Sequence, residues 1–203
     1  TWQKIGYCRQ MLGNVKNALN AYLKADLMDE NNTWVLRRIA HCYRLLKESE
    51  SALQYYRRLE QLKPNDLNIQ LNIGHCFLEL DKYAEALNYY FKVDLLSHDN
   101  TRAWRSIAWC AFLLQKFDVA QRYYGQIIEN LPNTYDFLNA GHVEFCLGNT
   151  KTAVELYVKA VKSAGSFTTF KLMFDEDLDE LQKACIDTNI LPIILDKVRY
   201  EVG

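Results

Sequence analysis

Apolar residues recur every three or four positions over most of the chain, which is the spacing of one face of an α-helix. Between residues 67 and 80 these positions are Ile69, Ile73, Cys76, Phe77 and Leu80. The polar pair Asp81-Lys82 interrupts the pattern, which restarts at Tyr83 and runs on to Leu96. The pattern predicts two amphipathic helices of about 13 residues each, joined by a tight turn.

The same pattern returns along the chain with a period of 34 residues. Residues that keep this step are Cys8, Cys42, Cys76 and Cys110; Ile5, Ile39, Ile73 and Ile107; Ala18, Ala52, Ala86 and Ala120; and Tyr22, Tyr56, Tyr90 and Tyr124. A fixed period of this length is typical of an array of stacked helix–turn–helix units. The small residues Gly74 and Ala86 are expected where the two helices of a unit cross closely, with Tyr90 filling the space beside them.

The period divides the chain into five repeats and a tail. The repeats are predicted at about residues 1–32, 33–66, 67–100, 101–133 and 134–165, as one continuous domain. Pro64 and Pro132, two periods apart, each follow a predicted helix. Because the last repeat of such an array would otherwise expose its apolar face, residues 166–203 are predicted to form a C-terminal helical cap. The alternative is that this phenylalanine-rich tail is a second partner-binding element.

Several repeats carry the residues of a known family pattern. The fourth has Trp104, Ile107-Ala108, Ala120, Tyr124, Ile127 and Pro132, and the third has Ile73-Gly74, Phe77, Ala86, Tyr90 and Val93. Over about residues 1–165 the chain resembles the tetratricopeptide repeat family, with departures at Arg9, Ala111 and Glu144, where the family has an aromatic residue. The resemblance implies an all-α, right-handed α-solenoid, in which the first helix of each repeat lines a concave groove.

The resemblance also indicates which side chains line that groove. They are Trp34, Arg37, Arg38, His41, Arg44, Asn68, Asn72, His75, Arg102, Arg105, Trp109, Tyr135, Asn139 and His142, with Tyr7 at the equivalent place in the first repeat. The set is basic and aromatic, and Glu79 is the one acidic residue among the groove positions considered. Arginine grips carboxylates through paired hydrogen bonds, and tryptophan offers flat apolar area. The set therefore predicts an anionic peptide ligand, although some of these arginines are equally well explained as solvated surface residues.

Two finer predictions concern this groove. A subset of the family clamps a peptide's terminal carboxylate with Lys, Asn, Asn, Lys and Arg from three consecutive repeats. The matching positions here are Arg37, His41, Asn72, Arg102 and Ser106, so the clamp pattern is kept only in part. Protonation of the groove histidines near pH 6 would add positive charge, so the affinity for an anionic ligand is expected to rise from pH 8 to pH 6.

Composition and cysteine spacing narrow the setting. Lys+Arg is 24 against Asp+Glu 25, and this balance predicts no general attraction to nucleic acid or to a membrane surface. The chain begins at Thr1 inside a helical pattern, so we expect it to be part of a longer protein. Equivalent cysteines on neighbouring repeats would lie about 10 Å apart, too far for a disulfide. They are expected to be buried free thiols, which favours a cytoplasmic location.

No motif predicts catalysis, a metal or a cofactor. His41 and Cys42 are neighbours on a helix and point about 100° apart, so they cannot hold one ion together. His142 and Cys146 have a spacing that zinc accepts, but no further ligand pair accompanies them. Phosphate-binding loops and nucleophile elbows do not occur in the sequence. The sequence therefore predicts a non-enzymatic scaffold or adaptor for another protein. The alternative is a self-associating structural or regulatory segment of a larger chain.

Overall fold

The fold is built from α-helices alone. The computed structural model describes residues 1–97, 101–185 and 187–203, and in this part of the chain it contains thirteen α-helices and no β-strand. The helices are α1 (Trp2–Met11), α2 (Val15–Asp26), α3 (Thr33–Leu45), α4 (Ser49–Leu62), α5 (Leu67–Glu79), α6 (Tyr83–Leu96), α7 (Thr101–Leu113), α8 (Phe117–Glu129), α9 (Thr134–Cys146), α10 (Thr150–Ala164), α11 (Phe167–Glu176), α12 (Leu178–Ala184) and α13 (Leu191–Val202). The predicted all-α solenoid of helical repeats is confirmed.

The helices pack in consecutive pairs, α1 with α2 through to α9 with α10. They form two compact units, Thr1–His98 with α1 to α6, and Asp99–Gly203 with α7 to α13. Several predicted repeat boundaries coincide with helix ends, since residues 32, 66 and 133 are the N-caps of α3, α5 and α9. The predicted boundary at residue 100 lies outside the described residues.

Polar side chains at these boundaries begin the next helix. Asn32 and Asp66 each accept a hydrogen bond from the backbone N–H three residues on, at 3.2 Å and 3.1 Å. Asn133 and Asp136 form a reciprocal capping box at the start of α9. Such caps satisfy backbone N–H groups that have no partner inside the helix, so each repeat starts at a defined residue.

The two helices of a repeat cross where the sequence places its smallest residues. A Cβ atom added to Gly74 would lie 2.5 Å from the ring of Tyr90, and one added to Gly6 would lie 2.6 Å from Tyr22. Both tyrosines are completely buried. The prediction that small residues allow a close crossing beside a tyrosine is confirmed at these positions.

The cysteines follow the sequence prediction at the periodic positions and depart from it elsewhere. Cys42, Cys76 and Cys110 are buried free thiols, whereas Cys8 is free but exposed. Burial raises the pKa of the Cys42 thiol to about 11 and those of the Cys76 and Cys110 thiols to about 12, so these three thiols are unreactive. The sequence did not predict the disulfide that joins Cys146 and Cys185, whose Cα atoms are 5.0 Å apart.

The tail folds back onto the second unit. Helix α13 packs on α10, burying Leu191, Ile194 and Val198. Helix α11 also packs on α10, while the short helix α12 lies against α7 and α9. The tail therefore covers more of the array than its final helix. No helix in the described ranges is long and apolar enough to cross a membrane.

Candidate functional site

A cleft in the first unit combines two exposed aromatic rings with a cation. The guanidinium carbon of Arg38 lies 5.1 Å from the centre of the Trp34 ring and 5.5 Å from that of Tyr7. Tyr7 is 44% exposed and Trp34 40% exposed. The cleft has a volume of about 460 Å³, and its lining residues are Gln3, Lys4, Tyr7, Cys8, Trp34 and Arg38. Its walls are apolar, and positive charge lies at its edge.

Buried packing fixes this cleft from behind. Trp34 and Arg38 are four residues apart on α3 and so share one face of that helix. The Trp34 ring meets the buried Tyr22 ring edge-on, with centroids 5.7 Å apart. Tyr7 follows Gly6, the residue that lets α1 approach the same Tyr22. One buried tyrosine therefore positions both walls.

Arg38 has no acidic partner among the residues that the structure describes, whereas its neighbours Arg37 and Arg44 do. Arg37 forms an ion pair with Asp66, the N-cap of α5. Arg44 binds Glu79 at 2.7 Å and the side-chain oxygen of Asn72 at 2.8 Å. The expectation that these two arginines lie free in the groove is wrong, because each is already neutralised by a carboxylate of the next repeat.

The pKa values of the two carboxylates report the same pairing. Burial acts to raise the pKa of Asp66, but hydrogen bonds from Arg37 and from the backbone N–H of Ile69 prevail and lower it. Burial likewise opposes ionisation of Glu79, and hydrogen bonds from Arg44 and Ser49 overcome it, so its pKa is also lowered. Both carboxylates are therefore ionised in the folded protein at neutral pH.

The groove histidines of the first unit differ in their surroundings. Partial desolvation, together with Arg44 and Arg38, lowers the pKa of His41. His41 therefore gains its proton below the pH at which a free histidine does, and the expected gain of charge near pH 6 is reduced at this position. His75 is half-buried, and its Nδ1 lies 2.7 Å from the hydroxyl of Tyr90.

The predicted asparagines of α5 bond to each other. Asn72 donates a hydrogen bond to the backbone carbonyl of Asn68, four residues earlier, at 2.6 Å. Asn68 itself is exposed. Since Asn72 also accepts from Arg44, its side chain is already engaged on both its donor and its acceptor atoms.

In the second unit the predicted arginines again divide into paired and unpaired. Arg105 makes two parallel hydrogen bonds to Asp136, at 2.8 Å and 2.7 Å, and that carboxylate is buried. Arg102 is exposed and has no ion pair within the described ranges. The expectation of a free Arg105 is wrong, because its guanidinium is held by the start of α9.

The remaining predicted residues of α7 and α9 are mainly aromatic or amide. Trp109 stacks on Phe112 with ring centroids 5.3 Å apart. Tyr135 is 48% exposed. Asn139 is half-buried, and its side-chain oxygen has no hydrogen-bond partner in the described structure.

His142 is not accessible to a ligand. It is completely buried, and its Nδ1 lies 2.9 Å from the hydroxyl of Tyr157. The Phe174 ring packs edge-on against it, with centroids 5.1 Å apart. Burial lowers the pKa of His142 even though the Asp177 carboxylate, 3.7 Å from its Nε2, acts to raise it. The prediction that His142 lines an exposed groove is therefore wrong.

The covering tail also removes the His142–Cys146 pair from metal chemistry. Cys146 is in the disulfide with Cys185, and His142 is bonded to Tyr157. Across the described residues, no group of three or more His, Cys, Asp or Glu side chains is arranged to hold a metal ion.

Comparison with known proteins gives the repeats a family. Residues 38–66 and residues 103–134 each match a tetratricopeptide repeat family model. The repeats are tetratricopeptide repeats. A comparison with curated proteins found no sequence match.

Solved structures of tetratricopeptide repeat proteins share the fold. YrrB, described as a TPR protein with an unusual peptide-binding site, is 17% identical, with a TM-score of 0.72 over 85% of this chain and 89% of its own. MamA from Desulfovibrio magneticus is 15% identical, with a TM-score of 0.75 over 79% of this chain and 92% of its own. A tetratricopeptide repeat protein from Parabacteroides merdae is 18% identical, with a TM-score of 0.66 over 98% of this chain and 83% of its own. At these identities the likeness concerns the fold.

The structure adds residues to the cleft that sequence reasoning missed. Gln3 and Lys4 line it together with Tyr7, and Cys8 completes it. Gln3 and Lys4 are four and three residues before Tyr7, so they share its face of the first tetratricopeptide helix. That spacing was the available signal, but the search for groove residues began at the second repeat.

Proposed function

We propose that this chain is a non-enzymatic protein-interaction module that binds an acidic peptide, or one with a free carboxylate, at the cleft formed by Tyr7, Trp34 and Arg38. The observation that carries the proposal is the position of Arg38. Its guanidinium lies between two exposed rings and has no carboxylate partner in the described structure. An apolar side chain on the rings would bring a neighbouring carboxylate to this cation.

The physical chemistry of the cleft supports a peptide with both properties. Exposed tyrosine and tryptophan provide large contact area at a small entropic cost, and arginine forms strong charge-assisted hydrogen bonds with carboxylates. Lys4 adds a second positive charge to the lining. YrrB, which shares the fold, is described as having an unusual peptide-binding site, and this gives the proposal a precedent within the fold.

The structure narrows the set of residues proposed to touch the ligand. Arg37, Arg44 and Arg105 hold neighbouring repeats together, and His142 is buried. The remaining groove residues stay as proposals: His41, Asn68, Asn72, His75, Arg102, Trp109, Tyr135 and Asn139. With Arg37 already paired, the partial match to the family's carboxylate clamp is weaker than the sequence suggested.

A cytoplasmic location also stays a prediction. The buried free thiols of Cys42, Cys76 and Cys110 fit a reducing compartment. The Cys146–Cys185 disulfide is of a kind that persists in oxidising compartments. The two observations favour opposite settings.

The proposal is tested with two fluorescein-labelled dodecapeptides of alternating phenylalanine and a polar residue, aspartate in one and asparagine in the other. Fluorescence anisotropy measures their binding to the full chain and to the variants Arg38→Glu and Arg122→Glu. Arg122 is an exposed arginine on α8 that lies over a tyrosine ring, so it matches the charge change away from the cleft. We expect Arg38→Glu to weaken binding of the aspartate peptide about tenfold or more, since a charge-assisted contact becomes a repulsion.

The controls separate charge recognition from general stickiness. The wild-type chain should prefer the aspartate peptide to the asparagine peptide, and Arg122→Glu should bind as the wild type does. Trp34→Ala should weaken the binding of both peptides, because it removes apolar contact area. Equal binding of both peptides by the wild type, or no effect of Arg38→Glu, would rule out the cleft as an acidic-peptide site.

A further inference from the structure

The tail of the chain covers the surface of α7 and α9 around Phe112 and His142, which we call the α7/α9 face. Helix α12 packs against both helices, and Leu181 is completely buried on it. At the end of α11, Phe174 packs on His142. The Gln115 side chain donates a hydrogen bond to the carbonyl of Lys183, at 3.3 Å. An apolar helix face therefore occupies the side of these repeats that sequence reasoning assigned to a ligand.

The contact has a polar defect that a permanent core would not be expected to keep. His142 Nε2 is buried and has no hydrogen-bond partner in the described structure. The nearest acidic oxygen, on Asp177, is 3.7 Å away, which is beyond hydrogen-bonding distance. Buried polar atoms in stable interiors almost always find a partner. The defect shows that the covering segment fits this face imperfectly.

Both ends of the covering segment are held independently of α12. On the N-terminal side, Phe170 packs against Tyr157, with ring centroids 5.8 Å apart. On the C-terminal side, α13 buries Leu191 and Val198 against α10. Helix α12 can therefore leave the α7/α9 face while the chain on either side stays in place. The disulfide from Cys185 to Cys146, the last residue of α9, opposes this release.

We infer that the α7/α9 face is a second binding site, whose ligand is an amphipathic helix with an aromatic residue and a leucine seven positions apart and an acidic residue three positions after the aromatic. The chain's own Phe174, Asp177 and Leu181 have this spacing and occupy the site in cis. Residues at i, i+3 and i+7 lie on one helix face, so a partner helix of the same pattern presents the same three groups. The inference does not depend on the cleft around Arg38.

The disulfide sets when the site is available. A dithiol reductant transfers two electrons and two protons to the Cys146–Cys185 bond, giving two protein thiols and the cyclic disulfide of the reductant. The tethered segment still competes after reduction, at an effective concentration that is roughly millimolar for a short tether. A partner therefore binds well only when the bond is open and the segment's own contact is weakened.

The test uses the full chain carrying Cys8→Ser, which removes the exposed thiol. The probe is a fluorescein-labelled synthetic peptide of this chain's residues 173–184. Leu181→Asp weakens the covering contact, and Leu172→Asp, at a 66% exposed position on α11, is the matched control. With dithiothreitol we expect Leu181→Asp to bind the peptide about tenfold or more tighter than Leu172→Asp does, because the competing segment has been released.

A second measurement uses no destabilising substitution. Hydrogen exchange of the Cys8→Ser chain should become faster in α12 after reduction, while exchange in α10 stays unchanged. The inference is overturned if α12 remains as protected as α10 after reduction. It is also overturned if the two aspartate variants bind the peptide equally, or if a peptide with alanine at the Phe174 and Leu181 positions binds as well as the native one. Should Leu181→Asp lose its helical circular dichroism, the exchange result decides.

Discussion

At the scale of single residues, the crossing of the two helices in a repeat depends on the absence of one methyl group. Gly74→Ala would place a carbon 2.5 Å from the buried Tyr90 ring, so the ring or the helices must shift. We expect a loss of about 1–3 kcal/mol in the free energy of unfolding, as for other overpacked cores. Urea denaturation measures it.

Gly125 provides the matched control for this prediction. It lies inside α8, and a Cβ atom there meets no atom within 4 Å. Gly125→Ala should raise the free energy of unfolding by about 0.5–1 kcal/mol, because alanine loses less backbone freedom on folding than glycine. If the two alanine variants are equally stable, the tight crossing at Gly74 is not real.

The paired arginines should act on stability. Arg105→Ala leaves the carboxylate of Asp136, which is 3% exposed, without its two guanidinium bonds. We expect it to destabilise the second unit by about 1–3 kcal/mol, the cost of a buried polar group that has lost its partner. Arg102→Ala, at an exposed and unpaired position, should change stability by less than about 0.5 kcal/mol. Thermal unfolding followed by circular dichroism compares them, and equal midpoints would contradict the structural role of Arg105.

These arginines show where the sequence could and could not predict the site. The 34-residue period placed them correctly on the first helix of each repeat, because helical spacing is a local property. Their partners are 29, 31 and 35 residues away, for Arg37, Arg105 and Arg44 in that order. Whether such distant side chains meet depends on the packing of adjacent repeats. Composition alone therefore made a largely neutralised surface look basic.

At the scale of helices, the cover of α11 and α12 over α9 creates a dependence on pH. The pKa of His142 is lowered in the folded chain, chiefly by burial. Above about pH 6.5 the histidine is neutral in both the folded and unfolded states. As the pH falls below that value the unfolded chain binds a proton that the folded chain does not, so stability is lost. We expect a decrease of about 1 kcal/mol in the free energy of unfolding between pH 7 and pH 5.5.

A variant isolates this effect from the other titrating groups. His142→Phe removes the ionisable ring, so its free energy of unfolding should fall less over the same pH range. Urea denaturation at pH 7 and pH 5.5 gives the difference for each chain. Identical pH slopes in the two chains would mean that His142 is not buried as a neutral ring under the tail.

The tail marks the limit of sequence reasoning at this scale. Leu178, Leu181 and Ala184 predicted a helix, and α12 is there. Its docking on α7 and α9 was not predicted, because an amphipathic pattern shows which face of a helix is buried and not what buries it. Cys146 and Cys185 gave no signal either, since a pairing across 39 residues is visible only once the tail is placed.

At the scale of the whole molecule, the proposed ligand-binding role predicts a chain that does not associate with itself. Light scattering over a hundredfold range of concentration should give the mass of one chain throughout. A mass that rises with concentration would favour the alternative of a self-associating segment. Repeating the measurement with Arg38→Glu separates the two roles, since self-association through the cleft would be lost in that variant.

The arginine pairs imply that the chain is built in steps of two repeats. Arg37 and Arg105 are 68 residues apart, as are Pro64 and Pro132, and Ala40 and Ala108. Each arginine binds a carboxylate at the start of the following first helix, whereas the same place between them holds Leu71. A longer version designed from this chain should therefore grow by 68 residues and not by 34. Its thermal midpoint should stay at or above that of the parent, whereas a single added repeat would bring unlike junctions together and lower it.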